Sequence, residues 1–130
     1  MDALAIARFV HLVAAATWTG GLIVLAVAVI ALRRAGADRA LLQAVARAFG
    51  RASWVAMALA VVTGLAQVSW MQLPWSYGRL HGKLAAVTVT IALAAYHQLT
   101  ARTASPRARG MIQAAILASS LVVYAAAVAL

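Results

Sequence analysis

The sequence predicts an all-α fold, an integral membrane, antiparallel four-helix bundle with both termini outside. Two observations indicate this class. The 130 residues are 66% hydrophobic and their mean hydropathy is +0.96, which is typical of integral membrane proteins and not of soluble domains. The chain also holds four apolar stretches, each at least as long as the ~20 residues that a spanning helix needs. Little of the sequence lies outside these stretches, so we expect residues 1–130 to form a single four-span transmembrane domain.

The predicted spans follow one another along the chain with short connections. They cover Leu4–Leu32, Ser53–Leu73, Leu80–Thr100 and Met111–Leu130. The start of the first span resembles a signal peptide in its apolar character, but Asp2 precedes Arg8 there and the apolar run continues to Leu32. We therefore interpret it as a retained spanning helix.

The distribution of basic residues predicts the orientation of the spans. The connections between spans one and two and between spans three and four hold eight arginines: Arg33, Arg34, Arg39, Arg47, Arg51, Arg102, Arg107 and Arg109. The opposite side holds only Arg8, Arg79 and Lys83. Because Lys and Arg accumulate in cytoplasmic loops, we expect both arginine-rich connections in the cytoplasm, in a multi-pass protein of a bacterial-type inner membrane.

A short amphipathic helix is predicted within the first cytoplasmic connection, over residues 38–50. Asp38 suits the N-cap, and apolar residues recur after it at helical spacing while Arg39, Gln43 and Arg47 fall on the other face. Such a helix lies on a membrane surface, where its arginines meet anionic lipid. The predicted partner is therefore the lipid bilayer. We interpret the net charge of +9 as the basic residues that orient the helices in the membrane, and not as a nucleic-acid-binding surface.

The third span carries polar groups that are costly in lipid. It contains His81, His97 and Lys83, the only lysine of the chain, and ionisable residues at membrane depth mark function by default. Lys83, Thr90 and His97 share one helical face, about 21 Å long. Lys83 has no acidic residue in this span, so we expect either a neutral amine, able to bind iron or carry a proton, or an anchor at the outer interface. His97 lies near the cytoplasmic end, with Gln113 as its nearest polar candidate, and is a candidate proton relay.

His11 is the one histidine of the first span, and Trp18 follows it by seven residues on the same face. In an up-down-up-down bundle the first and third spans run in the same direction and face each other across the core. His11, His81 and Lys83 are then expected at one depth near the outer side. A shared depth is what two axial ligands of a metal or a haem require.

Several motifs resemble two related families of small membrane proteins. The run His11–Leu22 (HLVAAATWTGGL) resembles the first helix of the copper-resistance protein D (CopD) family and of the HemJ-type protoporphyrinogen oxidases. His81–Leu84 (HGKL), with Tyr96–His97, is similar to the HemJ type. The motifs that resemble the CopD type are Phe49-x-Arg51, Thr63-Gly64-Leu65 and Tyr77-Gly78-Arg79-Leu80. The similarity covers three of the four predicted helices.

The resemblance implies a metal-containing cofactor or cargo. In the HemJ type, the first-helix histidine and the third-helix lysine are associated with b-type haem, and the matching positions here are His11 and Lys83. The CopD type implies copper handling across the inner membrane, for which His11, Met71 and His81 are suitable ligands. The chain departs from the HemJ pattern over Ile23–Leu32, which is uniformly aliphatic.

We therefore expect a haem b-binding membrane protein with an electron-transfer or oxidase role, similar to protoporphyrinogen oxidase. His11 and Lys83 are the expected axial ligands, His81 is the substitute for Lys83, and Trp18 is expected beside the cofactor. The alternatives are a copper-binding transport or resistance protein and a structural subunit of a larger membrane complex. These functions imply a protein partner, which is a redox partner, a larger membrane complex or a second copy of the chain. The chain has no cysteine, which excludes disulfides, iron–sulfur ligation and covalent haem attachment.

Overall fold

The computed structural model describes residues 1–130 and contains no strand. Its four helices are α1 (Ala3–Arg34), α2 (Arg39–Trp70), α3 (Gly78–Thr100) and α4 (Pro106–Ala129). The chain divides into two compact units, Met1–Leu73 and Pro74–Leu130. Unit 1 is the helix pair α1 and α2, and unit 2 is the pair α3 and α4. The all-α class predicted from the sequence is confirmed.

Three of the helices, α1, α2 and α4, are long and apolar enough to cross a membrane. Their length and composition indicate a membrane protein whose helices contact lipid. The remaining helix, α3, is not among them. Its two ends carry polar groups, including His81, Lys83 and His97, which lower its mean hydropathy. A spanning role for residues 80–100 therefore stays a prediction.

Short polar side chains cap the start of three helices. Asp2 accepts a hydrogen bond from the backbone N–H of Ala5 at 2.7 Å, and Asp38 accepts one from Leu41 at 2.8 Å. Ser105 caps α4 in the same way. Each bond satisfies one of the N–H groups that a helix N-terminus leaves without an intrahelical partner. The predicted N-cap at Asp38 is confirmed.

The predicted amphipathic segment and the predicted second span form one helix. The sequence predicts a separate helix over residues 38–50, whereas Gly50 lies inside the 32-residue helix α2. A glycine inside a helix costs about 1 kcal/mol, which the hydrogen bonds of the flanking turns offset. At a rise of 1.5 Å per residue α2 is about 48 Å long. This exceeds the ~30 Å hydrocarbon core of a bilayer, so α2 does not fit upright within the lipid core.

In unit 1, α1 and α2 pack as an antiparallel hairpin. A Cβ atom on Gly21 would lie 3.6 Å from Ser53 Oγ, and the rings of Trp18 and Trp54 meet edge to face with centroids 6.2 Å apart. Small residues allow helices to approach closely in lipid, and those buried in this interface are Ala7, Ala14 and Ala56. The register places His11 of α1 opposite residues 60–64 of α2.

In unit 2, an arginine of each helix caps the C-terminus of the other. Arg79 at the start of α3 donates from Nη1 to the backbone oxygen of Ala129 at 2.7 Å. Arg109 near the start of α4 donates to the backbone oxygen of Ala101 at 3.3 Å. The last carbonyl groups of a helix carry partial negative charge and lack intrahelical partners. These two bonds therefore stabilise the antiparallel register of α3 and α4.

Candidate functional site

His11 is held against α2 by its Nδ1 atom. This atom lies 2.7 Å from the backbone oxygen of Ala60 and 3.2 Å from Thr63 Oγ1. A carbonyl oxygen only accepts hydrogen bonds, so Nδ1 carries a proton and donates it to Ala60. In the neutral ring the lone pair is then on Nε2. An Nδ1–H bonded to a backbone carbonyl is also the arrangement that orients metal-ligating histidines.

Gly64 provides the space that the His11 ring occupies. A Cβ atom on Gly64 would lie 3.1 Å from His11 Cε1 and 3.5 Å from Nδ1, and the first of these distances is shorter than ordinary carbon–carbon contact. The imidazole thus packs directly on the α2 backbone. The sequence identifies Thr63-Gly64-Leu65 only through a family resemblance. It does not reveal that Thr63 and Gly64 contact His11, because that contact depends on the register of the hairpin.

Trp18, expected beside a cofactor, lies in the interface between α1 and α2. Its side chain is only 5% exposed and packs edge to face on Trp54. The seven-residue spacing between His11 and Trp18 places both on the face of α1 that meets α2. Packing accounts for this position, and a contact between Trp18 and a cofactor stays a prediction.

The two candidates for a second ligand differ in burial. Lys83 is half-buried in unit 2, whereas His81 is exposed. Unit 2 contains no aspartate or glutamate, so no carboxylate of this unit can pair with the Lys83 amine. His11 belongs to unit 1, and the shared depth of His11, His81 and Lys83 stays a prediction.

His97 contacts Gln113 of α4, as the sequence predicts. His97 Nε2 and Gln113 Nε2 are 3.3 Å apart. His97 Nδ1 is buried and has no hydrogen-bond partner. Whichever way the Gln113 amide is turned, it gives a partner to Nε2 and none to Nδ1. Buried polar atoms without a partner are uncommon in native proteins and accompany catalytic groups or bound water.

Thr90 lies midway along the stripe between Lys83 and His97. It is 1% exposed, and its hydroxyl is 2.9 Å from the backbone oxygen of Ala86 and 2.9 Å from Ser119 Oγ. Each step along the stripe covers seven residues, or about 10 Å, which is beyond the reach of a hydrogen bond. The polar groups of this stripe therefore form three separate clusters. A proton relay at His97 would act locally, at its own end of α3.

The predicted copper ligands His11 and Met71 lie at different levels of unit 1. The His11 ring packs on Gly64, and Met71 follows Gly64 by seven residues, about 10 Å along α2. Met71 ends the helix as its C-cap and is 46% exposed. In neither unit do three His, Asp or Glu residues come together as a metal-binding group. This arrangement does not favour a copper site that uses both His11 and Met71.

Comparison with known proteins finds no match among family models, curated proteins or solved structures.

Proposed function

We propose that the chain is a haem b-binding membrane protein with an electron-transfer or oxidase role, as the resemblance to HemJ-type protoporphyrinogen oxidases implies. One observation carries the proposal, the 2.7 Å hydrogen bond from His11 Nδ1 to Ala60. This bond fixes the tautomer whose Nε2 lone pair can ligate haem iron. The expected location is a bacterial-type inner membrane with the arginine-rich connections in the cytoplasm.

The contacts of His11 support a ligand role because they hold the ring in one orientation against α2. The Ala60 carbonyl fixes one edge of the imidazole, and the bare backbone of Gly64 lies against the ring at Cε1. A side chain held by packing and by hydrogen bonds loses little freedom when it binds a metal. His11 is therefore the proposed anchor of the cofactor.

Lys83 is the proposed second axial ligand, with His81 as its substitute. A lysine binds iron only as the neutral amine, because an ammonium group has no lone pair. The half-burial of Lys83 and the absence of acidic residues from unit 2 both favour the neutral form over the charged one. His81 is exposed, and this makes it a weaker candidate than Lys83 for the second ligand.

A bound haem would supply one-electron chemistry, and the residues that hold its iron would tune the reduction potential. His11 and Lys83 would hold the iron, and the contacts with Ala60 and Gly64 orient the His11 ring. His97 handles protons at its own end of α3, where Nδ1 has no partner and Nε2 is held by Gln113.

Two other functions receive less support. Copper handling of the CopD type would use His11 and Met71, which lie about 10 Å apart along unit 1. A purely structural subunit would use the bond from His11 to Ala60 only to join α1 and α2, and it would give the ionisable side chain of Lys83 no role.

Retention of haem by the purified protein tests the proposal. The chain is expressed with ample haem and purified in detergent beside two variants, His11→Ala and the control Leu12→Ala. Leu12 is 59% exposed on α1, so its truncation leaves the contacts with α2 in place. We expect stoichiometric haem in the parent protein and in Leu12→Ala, and almost none in His11→Ala. A colourless parent protein, or a pigment retained in His11→Ala, would refute the proposal.

A further inference from the structure

An apolar groove runs along one side of the α1–α2 hairpin. It has a volume of about 220 Å³ and is partly open to its surroundings. Residues of both helices line it, among them Val10, Val13, Thr17, Ala52, Val55 and Leu59. Thr17 is a polar residue of the lining, and its hydroxyl donates to the backbone oxygen of Val13 at 2.8 Å. The groove therefore suits a hydrocarbon chain better than a polar ligand.

Two arginines extend one wall of this groove. Arg47, Arg51, Val55 and Leu59 are spaced by four residues and so follow one stripe along α2. Arg51 precedes Val55 by one turn and Arg47 precedes it by two. Both arginines are exposed. The chain contains no Asp or Glu after Asp38, so no acidic side chain of α2 neutralises them.

The register of the hairpin places these cations beside apolar surface. Gly21 lies opposite Ser53, so Arg51 is level with the part of α1 that follows Gly21. There α1 is still aliphatic and exposed, as at Val24, which is 54% exposed, and at Val27, which is 64% exposed. An arginine at this level reaches a polar headgroup while its stem and neighbours remain in contact with acyl chains.

We propose that unit 1 binds an anionic phospholipid, with an acyl chain in the α1–α2 groove and the headgroup phosphate at Arg47 and Arg51. The apolar groove recognises the chain, and the adjacent guanidinium groups recognise the phosphate, to which arginine is well matched in geometry. This site is separate from the haem proposal, because it uses neither His11 nor any residue of unit 2.

Lipid binding to the delipidated full-length protein tests this site. The protein in mild detergent receives phosphatidylglycerol or phosphatidylcholine with identical acyl chains, and native mass spectrometry and the thermal shift report binding. The headgroup variant is Arg47→Gln with Arg51→Gln. Its control, Arg102→Gln with Arg107→Gln, removes the same charge from unit 2. The groove variant is Ala52→Leu, at an exposed lining position. Each shift is measured against the same variant without lipid.

We expect the parent protein to bind phosphatidylglycerol about 30-fold more tightly than phosphatidylcholine, the factor for two basic residues near an anionic headgroup. The Arg47→Gln and Arg51→Gln variant should lose this preference, and the Arg102→Gln and Arg107→Gln control should keep it. Ala52→Leu should weaken both lipids to the same degree. The proposal would be overturned if the parent bound both lipids equally, or if the preference for phosphatidylglycerol survived the loss of Arg47 and Arg51. It would also be overturned if the Arg102→Gln and Arg107→Gln control lost the preference to the same degree, or if Ala52→Leu bound both lipids as tightly as the parent.

Discussion

The close contact between Gly64 and His11 gives the sharpest test of the structure of unit 1. In Gly64→Ala the new Cβ atom would lie 3.1 Å from His11 Cε1, so the ring must move away by a few tenths of an ångström, which also strains its 2.7 Å bond to Ala60. Overpacking of this kind costs about 1–3 kcal/mol, and a weakened hydrogen bond costs about 1 kcal/mol or less. Alanine also gains up to ~1 kcal/mol over glycine in a helix.

Gly20→Ala is the matched control, because a Cβ atom on Gly20 of α1 meets nothing within 4 Å. Both variants gain helix propensity, and only Gly64→Ala disturbs His11. The free energy of unfolding in detergent should therefore be lower for Gly64→Ala than for Gly20→Ala by about 1–3 kcal/mol. If His11 ligates haem, Gly64→Ala should also lose about 10–100-fold in haem affinity, as is usual when a group that orients a ligand is disturbed.

Both measurements can refute this reasoning separately. Equal unfolding free energies for Gly64→Ala and Gly20→Ala would show that the His11 ring does not pack on Gly64. A Gly64→Ala variant that is less stable but binds haem normally would leave the packing correct and remove the ligand role from His11.

Three further predictions concern other parts of the chain. Single-cysteine variants at Ala37 and Ala104 should be labelled only from the cytoplasm, since both lie in arginine-rich connections, and periplasmic labelling at both would invert the orientation. His97→Ala should retain the pigment and slow turnover because its proposed role is proton transfer, whereas loss of the pigment would make it a ligand. Arg79→Gln should lower the free energy of unfolding by about 0.5–1 kcal/mol relative to Arg107→Gln, because of these two arginines only Arg79 caps a helix C-terminus; equal effects of the two substitutions would contradict that cap.

Local features of this structure could be predicted from the sequence. Apolar stretches of sufficient length predict the helices, and a short polar side chain before such a stretch predicts the N-cap at Asp38, because both depend on neighbours along the chain. The contact between His97 and Gln113 was also predicted. Helices joined by a short connection run antiparallel, so the end of α3 and the start of α4 must be adjacent. The break predicted near Gly50 is absent, since one glycine is too small a cost to end a long helix.

The details that depend on the rotation and register of packed helices could not be predicted. The contacts of His11 with Ala60 and Gly64 require both. The bond between Thr90 and Ser119 also requires both. For the same reason, the sequence predicts a role for Arg79 only in the orientation of the spans. Its bond to the end of α4 joins residues fifty positions apart.

The visible spectrum of the purified protein, oxidised and reduced, is the most direct test of haem bound by His11 and Lys83. We expect a six-coordinate, low-spin Soret and α/β spectrum that becomes five-coordinate or water-ligated in Lys83→Ala. Lys83→Arg should not restore it, because a guanidinium group stays protonated and offers no lone pair. A pigment unchanged in Lys83→Ala but lost in His81→Ala would transfer the ligand role to His81. A colourless protein that holds stoichiometric copper by elemental analysis would contradict haem binding altogether.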